Sequence, residues 1–299
     1  MVAEMVTTIS TLIEENYVLK AQGELIAATL RKDFSQGRFS KAQNLKQLDS
    51  TLTKSLRESS NDYHLYTWNN KKIVDQLQAA SSEEKETSGA KSFFNDEAAY
   101  DANFGFKKIE ILEGNIGYIE LTQINISDVS LNTLYSAMTM VHNTNALVID
   151  LRSNSGGGST IGPVLETFFF ETPTDLLEFR SRNGETKIER TVGWLVQERY
   201  NRPLYLLTSK GTASAAEAFA FSLKNQNRCV IVGEPSYGGA YMNTYFPVNE
   251  NFVVAISTDA PFLPGTNESW EGTGVTPDHE TTAPEALKKA IELISADLK

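Results

Sequence analysis

Pro203-Leu204-Tyr205-Leu206-Leu207 runs into Gly211-Thr212-Ala213-Ser214-Ala215-Ala216-Glu217 and on into Ala218-Phe219-Ala220-Phe221-Ser222-Leu223-Lys224. An apolar run, a glycine-led turn and a helical pattern in that order predict strand, tight turn, helix. A serine hydroxyl at such a turn stands at the mouth of a sheet, beside the free N–H groups of a helix start. That is a place to make a serine nucleophilic and to hold the oxyanion it creates. Ser214 and Glu217 also have the S-x-x-E spacing of a capping box, which needs only to start a helix. Taken alone, this stretch favours the cap.

A second stretch, Asp150-Leu151-Arg152-Ser153-Asn154-Ser155-Gly156-Gly157-Gly158-Ser159, has the same order of strand, glycine turn and helix. Glycines let the backbone turn sharply and aim N–H groups outward, which suits an anion or oxyanion. No Gly-Lys-Ser/Thr ending follows, so a phosphate loop is not indicated. The strand before it, Ala146-Leu147-Val148-Ile149-Asp150-Leu151, is almost continuously apolar, as in a sheet covered on both faces.

Farther out, residues 1 to 68 read as a helical bundle. Val6, Ile9, Leu12 and Ile13 recur at helical spacing, as do Leu45, Leu48, Leu52 and Leu56. Residues 69 to 104 turn polar, with Ser81-Ser82-Glu83-Glu84-Lys85-Glu86 at their centre, and read as a linker or flap. From 105 to 299 strands alternate with helices, including a hairpin at Asn183-Gly184 and a last helix opening at Pro284. The fold class is therefore α/β: an N-terminal helical bundle followed by a layered, mainly parallel core.

Composition narrows the function. The 299 residues carry 27 basic and 38 acidic side chains, a formal net charge of −11 with no basic stripe. Phosphate backbones and anionic membrane surfaces repel such a chain, so nucleic acid and membrane are excluded as main partners. A single cysteine, Cys229, rules out a disulfide framework within the chain and a cysteine metal cluster. No apolar run approaches the ~20 residues of a membrane helix. The first residues lack a signal-peptide pattern. The location is then either the cytoplasm or, with a targeting segment removed, the periplasm, the exterior or a lipoprotein anchor.

Together the motifs carry a resemblance. Asp150-Leu151-Arg152-x-Asn154-x-Gly156-Gly157, then Thr212-Ala213-Ser214-Ala215-Ala216-Glu217, then Gly233-Glu234-Pro235-Ser236-Tyr237-Gly238 resemble the tail-specific, or C-terminal-processing, serine peptidases of family S41. The common members use a serine-lysine dyad. The position matching their lysine is Gly239, and no lysine occurs between Lys224 and the last helix. The chain is also similar to the modules of interphotoreceptor retinoid-binding protein and to the tricorn protease core. Asp62-Tyr63-His64-Leu65, Asn103-Phe104-Gly105-Phe106 and Trp270-Glu271-Gly272-Thr273-Gly274 carry that second likeness.

The resemblance implies a crotonase/ClpP-like core, and 69 to 104 is too short for a PDZ-like domain. It implies a site of Ser214 with His64 and Glu271, and an oxyanion hole from the N–H groups of Gly157 and Ala215, with Gly156 a near substitute. Histidine titrates near neutrality and can take the hydroxyl proton. Tricorn-type enzymes carry a small polar residue before the histidine, where this chain has Tyr63. The implied substrate is a peptide or protein C-terminal segment, with no cofactor or metal. The alternatives are a module that grips peptides without cutting them, or one that binds a retinoid- or fatty-acid-like apolar ligand in a hydrophobic cleft; Phe168, Phe169, Phe170 and Trp194 are candidates for its lining, although such aromatics more often belong to the core.

Overall fold

A computed structural model of the chain describes residues 1–79, 94 and 96–298. These residues fall into two compact units, each drawn from separated stretches of sequence.

The first unit comprises Met1–Lys91, Phe179–Lys187 and Tyr241–Pro261. Its helices are α1 (Val2–Asn16), α2 (Lys20–Ser35), α3 (Leu45–Ser60) and α4 (Lys71–Ala79). Ile9, Ile13, Ile26, Leu30, Leu52 and Leu56 supply the apolar stripes of the first three and are almost wholly buried. Asn44 caps α3 by accepting the N–H of Gln47, and Asn61 ends it in the left-handed conformation. Strand β1 (Tyr66–Asn69) runs antiparallel to β12 (Phe252–Phe262), which also pairs with β11 (Met242–Pro247). β7 (Asp175–Ser181) and β8 (Thr186–Arg190) form a hairpin that turns at Gly184 with φ 84° as expected, and its tip, residues 179–187, belongs to this unit.

Two expectations need correction here. The helical unit does not close at residue 68, because the β11–β12 hairpin and residues 179–187 belong to it. Sheet pairing joins segments distant in sequence, and no local pattern marks such a partner. Nor is 69–104 wholly a linker. Ile73, Val74 and Leu77 form a buried stripe on α4 and pack on Val253, and α5 (Glu97–Asp101) is capped by Asp96. The polar centre of that segment, 80–93, lies outside the described residues.

The second unit comprises Ser92–Glu178, Ile188–Ala240 and Phe262–Lys299. Its six-stranded sheet has the order β13 (His279–Glu280), β10 (Val230–Gly233), β9 (Leu204–Thr208), β5 (Ala146–Asp150), β3 (Ile116–Leu121) and β2 (Phe106–Leu112). All pairings are parallel except β2 with β3. Every residue of β5 and β9 is buried, which is why both read as unbroken apolar runs. On one face Tyr118, Val148, Tyr205 and Val232 pack against Ala286, Ala290 and Ile294 of α9 (Ala286–Asp297). Helix α6 (Leu131–Val141) buries Leu134, Ala137, Met138 and Val141. Phe168, Phe169 and Phe170, following the short α7 (Val164–Thr167), are buried in the core. Among the described residues no PDZ-like domain stands between the N-terminal helices and the core strands, and no helix is long and apolar enough to cross a membrane.

Candidate active site

Strands β5 and β9 are parallel neighbours, with Asp150 opposite Leu207. Their two glycine turns therefore leave the same edge of the sheet, the carboxyl edge where open α/β sheets place ligands. Backbone bonds then join the turns: Leu151 N–H donates to Leu207 carbonyl at 2.9 Å and Ala213 N–H to Asn154 carbonyl at 3.0 Å. The Thr212 hydroxyl donates to Leu151 carbonyl at 2.8 Å, and that of Ser209 to Arg152 carbonyl at 2.7 Å. At the foot of the first turn buried Asp150 accepts from Tyr118 Oη at 2.7 Å and from Arg152 Nε at 2.9 Å, while Arg152 Nη1 donates to Ala283 carbonyl at 2.6 Å. Asp150 is held below the usual carboxylate range by these donors, which outweigh its burial.

Ser214 sits at the start of α8 (Ala215–Asn225) with φ 53° and ψ −123°. Positive φ is rare for a residue with a Cβ and is kept only where the surroundings fix it. Here Gly156 fixes it from one side: a Cβ on Gly156 would stand 2.7 Å from Ser214 Cβ and 2.9 Å from Ala213 carbonyl. Glu217 fixes it from the other, with Oε2 accepting the Ser214 N–H at 2.9 Å. The capping-box spacing read from sequence is thus used by a serine in a strained elbow.

The oxyanion expectation divides. Gly156 N–H donates to Asn154 Oδ1 at 2.9 Å, so it has no proton to offer a substrate; this corrects its assignment as a near substitute. Asn154 Nδ2 in turn donates to Leu121 carbonyl, and this buried asparagine shapes the turn. Gly157 opens β6 (Gly157–Ser159), which is parallel to β4 (Ile124–Ile126). The ladder uses Gly156 carbonyl, which accepts Ile124 N–H at 2.9 Å, and leaves Gly157 N–H turned away from β4. Ala215, at the first position of α8, has its N–H at the positive end of the helix. Neither the Gly157 nor the Ala215 N–H is taken up by the β4–β6 ladder or by Asn154.

Glu217 does more than its sequence position announced. It is fully buried, and Oε1 accepts from Ser236 Oγ and Gly238 N–H, both at 2.6 Å, while Oε2 also accepts Gly239 N–H at 2.9 Å. Burial pushes its carboxyl up, and these four donors oppose that. One carboxylate therefore ties the Ser214 elbow to the loop 236–240, the place of the family's lysine. Glu271 meets the same loop: its Oε2 accepts Ala240 N–H at 2.7 Å, and Gly272 N–H donates to Gly238 carbonyl at 2.8 Å. Gly274 allows the close approach, since a Cβ there would lie 2.3 Å from Ser236 carbonyl. Ser214, Ala215, Gly156 and Gly157 are thus gathered in the second unit, with Glu271 one loop away.

His64 belongs to the first unit. It follows the left-handed Asn61 at the end of α3, and its side chain is largely buried. Its N–H donates to Asp62 Oδ1 at 2.8 Å, and its carbonyl accepts from Asn243 Nδ2 at 3.1 Å. Burial pushes its imidazole below the ordinary histidine value, Asp62 pulls it up and Arg57 pushes it down. Burial pushes the Cys229 thiol far up, away from the thiolate form. No group of three or more potential metal-ligating side chains occurs among the described residues.

Comparison with known proteins gives the family and the fold. The model of peptidase family S41 matches residues 115–281, and the model described as the N-terminal domain of peptidase S41 in eukaryotic interphotoreceptor retinoid-binding protein matches residues 1–113. Carboxyl-terminal-processing peptidase 2 of Arabidopsis thaliana chloroplasts is 33% identical over 184 residues, 62% of this chain and 35% of that protein. The chain thus spans about a third of the length of that curated relative. A lipoprotein from Streptococcus agalactiae shares the fold with TM-score 0.62 at 16% identity, over 98% of this chain and 96% of that one. The tricorn protease does so with TM-score 0.61 at 14% identity, over 98% of this chain and 36% of the larger enzyme. With a family model covering more than half of its residues, the chain belongs to peptidase family S41.

Proposed function

We propose that the chain is a serine-type peptidase that works on protein C-terminal segments, as the names of its curated relatives describe for them, with Ser214 as nucleophile. The observation that supports this most is Ser214 itself, a non-glycine residue at φ 53° on a helix start, packed against the Gly156 turn. A cap has no use for that strain, whereas a nucleophile gains exposure from it.

In the proposed reaction Ser214 Oγ attacks the scissile carbonyl and its proton passes to the base. The carbonyl oxygen becomes an oxyanion that accepts from Gly157 and Ala215. The protonated base then gives its proton to the departing amine, leaving an ester on Ser214 that water hydrolyses by the same steps. The base we assign is His64, because no lysine occupies position 239 and a buried imidazole below its ordinary value is neutral at pH 7. We assign to Glu271 the carboxylate of the site, acting on the loop through Ala240 and on the charge that develops during proton transfer.

An active-site-directed phosphonate tests the nucleophile. The expected result is a single adduct mapped to Ser214 by mass spectrometry, absent in Ser214→Ala, with peptide cleavage falling by a factor on the order of 10³ or more in that variant. Folded wild-type protein that takes no adduct at Ser214, or cleavage that survives Ser214→Ala, overturns the reading. Peptides with free and with amidated C-termini, compared as substrates, test the C-terminal preference.

A further inference from the structure

The turn that carries His64 is built around a carboxylate to which the reaction above gives no role. Asp62 is 1% exposed, and every oxygen of its side chain is engaged. Oδ2 accepts from Ser257 Oγ at 2.6 Å and from Tyr17 Oη at 3.1 Å. Oδ1 accepts the backbone N–H of His64 at 2.8 Å and lies 4.0 Å from the imidazole Nδ1. The sheet supplies the other hold on this turn. Asn243 and Ser257 are register partners on β11 and β12. One rung therefore places Ser257 on the Asp62 carboxylate and Asn243 on the His64 carbonyl.

We propose that Asp62 is a positioning residue for His64: a carboxylate clamped by Tyr17 and Ser257 faces the Nδ1 edge of the ring, keeps the proton on that nitrogen, and leaves Nε2 as the nitrogen that accepts. The inference rests on His64 being the base. Two donors fix Oδ2, so the carboxylate cannot swing, and Oδ1 is left facing both the N–H and Nδ1 of one residue. A buried carboxylate at that edge favours the tautomer with hydrogen on Nδ1 and steadies the imidazolium formed when Nε2 takes a proton.

Arg57 gives the counter-charge its role. Arg57 of α3 lies over the rings of Tyr63 and Tyr66, at 5.5 and 5.6 Å from their centroids, and opposes a second positive charge nearby. Tyr66 of β1, under the same guanidinium, is hydrogen-bonded to Tyr245 of β11 at 2.6 Å, and burial pushes its hydroxyl up, so it stays neutral. Burial and Arg57 both disfavour the imidazolium, and Asp62 favours it. The sign for activity follows. His64 accepts a proton only when neutral, so the acidic limb of the rate lies below the ordinary histidine value of about 6.5.

Nuclear magnetic resonance of the histidine-labelled full chain tests the inference, with the His64 signals assigned through His64→Gln. In wild type the ring carries its proton on Nδ1. In Asp62→Asn the His64 pKa falls by roughly one unit or more, the Nδ1 preference is lost, and the acidic limb of the phosphonate-labelling rate moves down by the same amount. An unchanged His64 pKa and tautomer in folded Asp62→Asn overturns it. If Asp62→Asn does not fold, the double variant Tyr17→Phe/Ser257→Ala keeps the carboxylate and removes both donors from it. The His64 pKa then rises, and no rise overturns the proposal. Labelling that persists in His64→Gln sinks the base assignment instead, a result separable from the titration of the ring.

Discussion

The Ser214 elbow and the His64 turn carry the two residues assigned to proton transfer, and they are held by opposite means. The elbow is fixed by backbone: a glycine turn at van der Waals contact, carbonyls from the neighbouring strand, and a positive φ on a residue that has a Cβ. The His64 turn is fixed by side chains, with Asp62 clamped by Tyr17 and Ser257 and the carbonyl gripped by Asn243. A backbone fit leaves no room for an added atom. A side-chain fit gives way one hydrogen bond at a time. The elbow should therefore fail abruptly on small additions, and the turn should weaken in increments.

Gly156→Ala is the sharpest attempt to break that contrast. The new Cβ would meet Ser214 Cβ at 2.7 Å and Ala213 carbonyl at 2.9 Å, and φ at this position is +108°. Neither obstacle is the end of a flexible chain, so the strand or the elbow must move. The expected loss is about 3 kcal/mol or more, from a forbidden φ and an overpacked contact together. Chemical denaturation measures the loss, and phosphonate labelling should collapse with it. Wild-type stability in this variant would show that the elbow is held by something other than the glycine.

Glu217→Gln comes next. Each carboxylate oxygen accepts from two donors, and the glutamine amide turns one of them into a donor. Ser236 Oγ can rotate, but the N–H groups of Ser214, Gly238 and Gly239 cannot. At least one backbone N–H is then buried without an acceptor, at a cost of about 2 kcal/mol. Labelling at Ser214 should fall along with the denaturation midpoint, because the same oxygen orients the elbow and the 236–240 loop. A loss of labelling with no loss of stability would make Glu217 a chemical participant rather than a fastener.

Much of the elbow could be read from sequence because its parts are local. Buried parallel strands give continuous apolar runs such as Ala146–Asp150 and Leu204–Thr208, and each is followed at once by its glycine turn. What escaped was orientation. Nothing in Asn154-Ser155-Gly156 says that the asparagine amide consumes the Gly156 N–H, and the S-x-x-E spacing of Ser214 and Glu217 hides the other three donors on that carboxylate. The His64 turn was less legible. Asp62 precedes His64 by two residues, but Ser257 and Asn243 arrive on a hairpin nearly two hundred residues later. Pairing register carries no local signature, which is also why the hairpin was expected in the core. Helix α4 does carry a local signal: Ile73, Val74 and Leu77 have helical spacing, and the lysines and glutamines around them mask it.

The smallest expected effect sharpens the comparison on the side-chain half. Tyr66 and Tyr245 are both register partners of Ala255 on β12 and lie on the same face of the sheet. Their hydroxyls meet at 2.6 Å across that small residue, and the rings stand edge to face with centroids 6.3 Å apart. Tyr66→Phe and Tyr245→Phe keep the rings and remove one hydroxyl each. Each single variant should lose about 1 kcal/mol, since it leaves the opposite hydroxyl in a half-buried place with one partner fewer. The double variant should lose less than the sum, because the second hydroxyl has nothing left to miss, and the coupling should be about 0.5–1 kcal/mol. Urea denaturation of the four proteins measures it. A coupling of that size, set beside an all-or-none Gly156→Ala, would mean that one turn can be loosened by degrees while the other cannot. Strict additivity would mean that the hydroxyl pair does not help to hold the sheet face that grips His64.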